Sequence, residues 1–394
     1  MKTSDYIMNY LASRGVTYIF EVIGGMITHL VDSAYRQEKL QLISNHHEQA
    51  AAFAADAMGR ITGIPGVAMA TSGPGAVNLL TGIGSCYFDS VPAVFITGQV
   101  NLHEQKGNKK IRQLGFQETD IVSMAHPITK AAWSVQSSDQ IPSLLKEAFR
   151  LAPSGRPGPV LLDIPMDIQR QDIPMDIIEP PEIRTDVFTD DAFFNQLVQS
   201  LLQAKKPLIL AGGGIHSARA LSLFRQFVDL VQLPVVNSLM AVDVLPYQHP
   251  MRVGLIGSYG NRWANTALGE CDLLLVLGSR LDIRQTGADV RAFQTGRKIF
   301  HVDCDSSEIN NRLQGCYYAV TDLQPFFSAA IDIFQSVKVF SHPDWLERIA
   351  QLRQQWPDTS EIKDVSGINP NLFMHKLSRV SQQAGAYVVD VGNH

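Results

Sequence analysis

Short apolar runs alternate with stretches of helical spacing along the first part of the chain. The runs are YIFEVI (18–23), LQLISN (40–45), GVAMAT (66–71), PAVFITG (92–98), ITKAAWSV (128–135) and PVLLDIP (159–165). This alternation predicts a parallel sheet with helices on both faces. The runs are apolar throughout rather than at every second position, as expected of strands covered on both sides. Ahead of them, TSDYIMNYLAS has an amphipathic pattern that predicts a helix capped by Thr3 or Ser4. A second series follows in PLILAGGG (207–214), PVVNSL (234–239), CDLLLVLGSRLD (271–282), KIFHVDCD (298–305) and YYAVTD (317–322). The fold class is therefore α/β, with two doubly wound parallel-sheet domains.

Residues 1–168 form the first domain of this reading and 191–335 the second. Residues 169–190 hold several prolines and acids without periodicity and read as a linker. Residues 336–368 read as a second linker containing one helix, PDWLERIAQLRQQW. From 369, NPNLFMHKLSRVSQQAG predicts a helix and YVVDVG (387–392) a strand, the pair with which a third α/β domain would begin.

Composition narrows the function classes. A chain of 394 residues exceeds one ordinary core, and 45% hydrophobic residues suffice to bury two. The net charge of -5, with Lys and Arg scattered, offers no basic stripe for phosphates, so nucleic acid is not an expected partner. Cys86, Cys271, Cys304 and Cys316 lie far apart with no CxxC pair, which favours a reducing cytoplasm over a disulfide framework or zinc site. Asp5, Asn9 and Arg14 interrupt the start before any signal-peptide core, and no run of about 18 apolar residues occurs to cross a membrane.

Several turns could carry chemistry. In SNHHEQAAAFAADAMGR, Glu48 stands where a strand gives way to an Ala-rich helix, at the sheet edge where ligands of open α/β folds bind. Taken alone, it reads either as a first-turn glutamate supporting the helix dipole or as a group that exchanges a proton with a bound ring. His46 and His47 lack partners at metal-ligand spacing and read as structural. TSGPGAVN (71–78) follows a strand and opens a helix, with glycines that permit close backbone approach and Asn78 in the first turns. LAGGGIHSA (210–218) resembles a dinucleotide turn but has Ser217 where GxGxxG needs glycine. In GSRLDIRQTG (278–287), Arg280, Asp282 and Arg284 follow a buried strand and suit either phosphate and ribose contacts or a surface ion-pair cluster.

As a set, HHEQAAAFAADAMGRITGIPGVAMATSGPGAVN (46–78), DSVPAVFITGQV (89–100), GFQETDIV (115–122), ITKAAW (128–133), SGRPGPVLLDIPMDIQ (154–169), LGSRLDIRQTG (277–287) and VDVGNH (389–394) resemble the thiamine-diphosphate enzymes of the acetolactate (acetohydroxyacid) synthase family, in order and spacing over essentially the whole chain. The resemblance implies a pyrimidine-binding domain, a central Rossmann-like domain and a diphosphate-binding domain. It implies that Glu48 meets the cofactor's aminopyrimidine, and that pyruvate is decarboxylated and its two-carbon unit added to a second carbonyl. Gln117 and Lys130 match positions near the reacting groups, and Gly25, Pro74, Gly75, Asn78 and Phe116 match positions around the cofactor. The turn with Asn393 and His394 matches one facing the diphosphate. Arg156, Gly212, Gly213, Gly214, Arg280, Asp282, Arg284 and Asp303 match stretches that contact FAD in members that bind it.

Three positions depart from the pattern: the early turn FEVIGGMI lacks the usual proline, Ile283 replaces a frequent Asp, and Asn393 replaces the usual Gln. The GDG motif that binds Mg2+ and the diphosphate would lie beyond residue 394 and occurs nowhere in the sequence, so this polypeptide alone is expected not to turn over. The resemblance further implies a homodimer or homotetramer acting on a small 2-keto acid. The alternatives are a 2-keto acid decarboxylase, a sugar-modifying thiamine-dependent lyase, or a non-catalytic flavin- or nucleotide-binding protein.

Overall fold

A computed structural model describes residues 1–173, 187–337, 341–360, 366–385 and 387, and the chain divides into two compact units, Met1–Thr185 and Asp186–His394. The first is built on a six-stranded sheet of β1 (Tyr18–Val22), β2 (Gln41–Ser44), β3 (Gly66–Ala70), β4 (Ala93–Gln99), β5 (Ala131–Ser134) and β6 (Pro159–Pro165), in the order β2-β1-β3-β4-β6-β5. Every strand pair is parallel. Successive residues of one strand enter opposite cores: Val67 and Met69 join Ile7, Leu11 and Leu145, whereas Ala68 and Ala70 join Ala51, Ala55 and Leu79. This is why the runs lack polar alternation.

The alanine-rich core brings two helices, Glu48–Thr62 and Pro74–Asp89, into close contact. A Cβ on Gly82 would fall 2.4 Å from that of Ala52, so only glycine fits at this crossing. Polar ties reinforce it: Ser85 Oγ donates to Asp56 (2.9 Å), and Arg60 pairs with both Asp56 and Asp89.

Two sequence expectations change in this unit and at its end. The helix Thr3–Ser13 has Lys2 as N-cap and no side-chain cap. Thr3 Oγ1 donates instead to the Gln171 carbonyl (2.8 Å), and Ser33 Oγ to Ser4 Oγ (2.8 Å), so tertiary bonds have claimed both hydroxyls expected as caps. The stretch read as a linker from 169 begins inside the core, since Ile168, Gln169 and Ile173 are buried. Most of that stretch, residues 174–186, lies outside the described residues.

The second unit repeats the architecture with β7 (Pro207–Ala211), β8 (Val235–Asn237), β9 (Arg252–Leu255), β10 (Leu273–Leu277), β11 (Lys298–Asp303) and β12 (Tyr317–Val320), in the order β12-β11-β10-β7-β8-β9. Leu273, Leu275 and Leu277 face a Phe-rich core, and Leu274 and Val276 face the other. β9 was not among the predicted strands. It is four residues long, contains Arg252 and Gly254, and pairs only with β8 through an irregular register.

The helix Pro343–Gln355 is no linker element. It buries Trp345, Ile349 and Leu352, donates from Trp345 Nε1 to the Pro207 carbonyl (3.0 Å), and pairs Arg348 with Glu270 (2.6 Å). Asn369 caps the helix Pro370–Val380 by accepting from Leu372 N (3.1 Å), and no residue of that helix is buried. Beyond Tyr387, the predicted strand and the proposed contacts Asn393 and His394 lie outside the described residues.

Candidate active site

In an open parallel sheet, ligands gather beyond the carboxyl ends of the strands where the strand order reverses. In the first unit the chain steps from β1 outward to β2 and returns to β3 on the other side, so the reversal lies between β1 and β3. The turns after those two strands touch. Thr71 Oγ1 accepts from Met26 N (3.2 Å), and a Cβ on Gly24 would lie 2.4 Å from that of Thr71. Gly25, one residue further, has open space where a side chain would stand.

Glu48 begins its helix beside these turns, with His47 as N-cap accepting from Gln49 N through Nδ1 (3.1 Å). That bond gives His47 the structural role expected of it. Asn78 Nδ2 donates to Glu48 Oε2 (2.9 Å), joining the two helices across their contact. Among the described residues no side chain donates to Oε1. A Cβ on Gly75 would stand 3.2 Å from that oxygen and 2.8 Å from Thr71 Cγ2, so glycine keeps the space in front of the carboxylate open. Gly73, at φ +67°, supplies the left-handed turn before Pro74, the first residue of the second helix. Ser72 Oγ, in the same turn, is buried without a hydrogen-bond partner among the described residues. A half-buried carboxylate with one oxygen fixed, the other open, and a glycine-lined approach fits a ring with an exchangeable proton.

Gln117 joins this cluster from a distant stretch of sequence. It adopts φ +62°, and its Cβ lies 2.8 Å from where a Cβ on Gly73 would be. Phe116, beside it, is 74% exposed, which places a large apolar ring in the open next to the polar turns. Lys130 behaves differently from its sequence reading. Its Nζ donates to the carbonyls of Leu151 (2.6 Å), Ser154 (2.5 Å) and Arg156 (2.9 Å), the geometry of a clasp on a helix exit. Arg156 donates from Nε to Ser90 Oγ (2.9 Å).

In the second unit the order reverses between β7 and β10, and Gly212–Gly214 and Arg280–Arg284 follow those strands. Part of this set is occupied structurally. A Cβ on Gly212 would lie 2.0 Å from the Gly278 carbonyl oxygen, and one on Gly214 would lie 2.7 Å from Gly278 Cα, so both glycines let neighbouring turns touch. Gly213 faces Met240. Asp282 caps a short helix by accepting from Arg284 N (2.8 Å) and Gln285 N (3.2 Å), and stands 3.8 Å from Arg280. The side chains of Arg280 and Arg284 are exposed at the edge. Asp303, at the end of β11, accepts from Asp305 N (3.0 Å). Two exposed guanidinium groups at a switch point fit a phosphorylated ligand.

A separate cavity of about 720 Å3 in this unit, lined by Tyr247, Trp263, Arg353, His375 and Arg379 among others, contains none of the sequence-predicted residues. Among the described residues no cluster of three His, Cys, Asp or Glu is placed to hold a metal. Thr71, whose hydroxyl ties the two turns together, stands in the TSGPG stretch without a sequence signal of its own.

Two family models match the chain: the thiamine pyrophosphate enzyme N-terminal TPP-binding domain over residues 1–124, and the thiamine pyrophosphate enzyme central domain over residues 194–330. The chain belongs to the thiamine-diphosphate-dependent enzyme family. Within it, the chain is similar to the acetolactate synthase isozyme 2 large subunit of Escherichia coli (36% identity, 100% of this chain, 69% of the relative). It is likewise similar to the acetolactate synthase large subunit of Lactococcus lactis (33% identity, 99% and 67%) and to the probable large subunit of Methanocaldococcus jannaschii (33%, 96% and 64%). The chain thus spans about two thirds of the length of these relatives.

Proposed function

We propose that this chain supplies the pyrimidine side of an acetolactate-synthase active site, which decarboxylates pyruvate and joins the two-carbon unit to a second carbonyl. The observation that carries the reading is the Glu48–Asn78 pair (2.9 Å) at the switch point, with Glu48 Oε1 open over Gly75. Bound thiamine diphosphate supplies the electron sink for loss of CO2. Glu48 would hold or return a proton at its aminopyrimidine, and Asn78 would fix the carboxylate that does so. Gly25, Pro74 and Gly75 leave room for the ring, and Phe116 and Gln117 face the space where the keto acid reacts.

In this reading a GDG-type motif, which does not occur in residues 1–394, would hold Mg2+ and the diphosphate. On the second sheet's carboxyl edge, Arg280 and Arg284 would hold the phosphates of FAD, with Gly213 and Asp303 beside them. A homo-oligomer is supported by the exposed Phe53, Val77, Phe88 and Phe116 on the helices and loop of the site. Four unpaired cysteines, three of them buried, suit a reducing cytoplasm.

The test is acetolactate formation from pyruvate by the catalytically complete polypeptide, with and without thiamine diphosphate, alongside a panel of keto-acid and sugar acceptors. Pyruvate should be the preferred acceptor. Preference for a sugar, or release of free aldehyde, would replace the carboligase reading by one of its siblings. A flavin spectrum with no thiamine-dependent turnover would point to a non-catalytic binding protein.

A further inference from the structure

The edge of the first sheet holds a buried polar network that the proposed chemistry does not use. Asp163, at the end of β6, accepts from Thr97 Oγ1 (2.6 Å) through one carboxylate oxygen and from Gln99 Nε2 (3.0 Å) through the other. All three side chains are buried. Gln99 Nε2 also donates to the carbonyl of Thr119 (2.8 Å), and Gln99 Oε1 accepts from Val100 N (3.0 Å). Both amide hydrogens of Gln99 are thus spent on the carboxylate and one loop, and its oxygen is tied to the strand.

That loop is Gly115–Thr119, and it is pinned on its other side as well. Glu118 accepts from Lys106 N (2.7 Å) and Leu114 N (2.6 Å), and Gly115 sits so close to Val100 that a Cβ would meet its Cγ1 at 2.9 Å. Between these anchors stand Phe116 and the left-handed Gln117 against Gly73. A residue at φ +62° persists only where its surroundings over-determine it.

We infer that Gln99, backed by Asp163 and Thr97, is a positioning residue that holds the Gly115–Thr119 loop and thereby sets Phe116 and Gln117 over the site. The inference rests on the reading of this site as the place where the keto acid reacts. Burial pushes the Asp163 carboxyl up to about 7, opposed by the bonds from Thr97 and Gln99, while the nearby Asp120 charge raises it further. The network's anchor therefore changes charge near neutral pH.

Two measurements test this together: hydrogen exchange across residues 114–120, and steady-state kinetics of the catalytically complete polypeptide. In Gln99→Leu, the Glu118 amide and its neighbours should exchange roughly tenfold faster, while β4 and β6 stay as slow as in the parent chain. KM for the keto acid should rise several-fold, with thiamine diphosphate affinity little changed. Asp163→Asn keeps an acceptor for Gln99 and reverses the bond to Thr97, whose hydroxyl then accepts from the new amide, so it should retain the loop's protection and remove a pH step near 7 from the KM profile. In Gln99→Glu, the new acid faces Asp163, and the loop's protection relative to the parent chain at the same pH should fall as pH rises; this arm decides the matter should Gln99→Leu not fold. Unchanged loop exchange in both Gln99 variants, or equal acceleration of the whole sheet, would overturn the inference. A parent enzyme that forms no acetolactate would instead count against the functional reading, and the exchange data would still decide the positioning role.

Discussion

At the scale of single residues, the proposed site rests on one hydrogen bond between two helices whose small side chains let them approach closely. Removing the Asn78 amide in Asn78→Ala frees Glu48 Oε2 and leaves the carboxylate unoriented. Activity should fall about tenfold or more, with global stability changed by roughly 1 kcal/mol, the worth of one ordinary hydrogen bond. Lys130→Met should behave the opposite way. Its three carbonyl bonds clasp the exit of the helix Ile141–Leu151, so thermal unfolding should show a loss of about 2–3 kcal/mol, with cofactor affinity near that of the parent. The lysine was legible in the sequence as an important position, but its role was not, because the carbonyls that claim it come together only when the chain turns after that helix.

At the scale of elements, packing sets the chemistry. Gly82 lies one helical turn beyond Asn78 and touches Ala52, one turn beyond Glu48. Gly82→Val would force the helices apart at that contact. It should cost at least about 1–3 kcal/mol in denaturant unfolding and weaken thiamine diphosphate binding, although residue 82 touches no ligand. Similarly, Trp345→Ala should destabilise the second unit by about 3–5 kcal/mol, because it empties a buried site and abandons the Pro207 carbonyl. A linker helix would give no such effect. The helix was visible in the sequence, whereas its burial was not: Trp345, Ile349 and Leu352 form a narrow stripe within a largely polar segment. β9 escaped notice for a related reason, since four residues with an arginine and a glycine carry no strand pattern until β8 is beside them.

At the scale of the whole molecule, two carboxyls give stability opposite dependences on pH. Asp163 is raised to about 7 by burial, so the folded chain holds a proton that the unfolded chain releases above its ordinary carboxyl range. Its contribution makes stability fall as pH rises from about 4 to about 7. Glu270 is lowered to about 2 by the hydrogen bond from Arg348 and then that from Lys206. Its contribution is present above the usual glutamate range and is lost as pH falls toward 2. Chemical unfolding of Asp163→Asn and Glu270→Gln across pH 3 to 8 should flatten these two windows separately.

The doubly wound architecture was legible in the sequence because the central strands carry apolar residues on both faces. Glu48 and Asn78 were legible as candidates through the motifs around them. Their hydrogen bond was not, since it depends on which strands flank the point of reversal. Gln99 and Asp163 carried no signal: each is an ordinary polar residue inside an apolar run, and only the pairing of β4 with β6 brings them together.

The most direct test of the central claim compares thiamine-diphosphate-dependent acetolactate formation from pyruvate by the complete enzyme and by its Glu48→Gln variant. The account predicts turnover by the parent and a loss of roughly 10²–10⁴-fold in kcat for the variant, the usual worth of a positioned proton-transfer group. A parent inactive on every 2-keto acid, or a Glu48→Gln variant that retains full kcat, would contradict it.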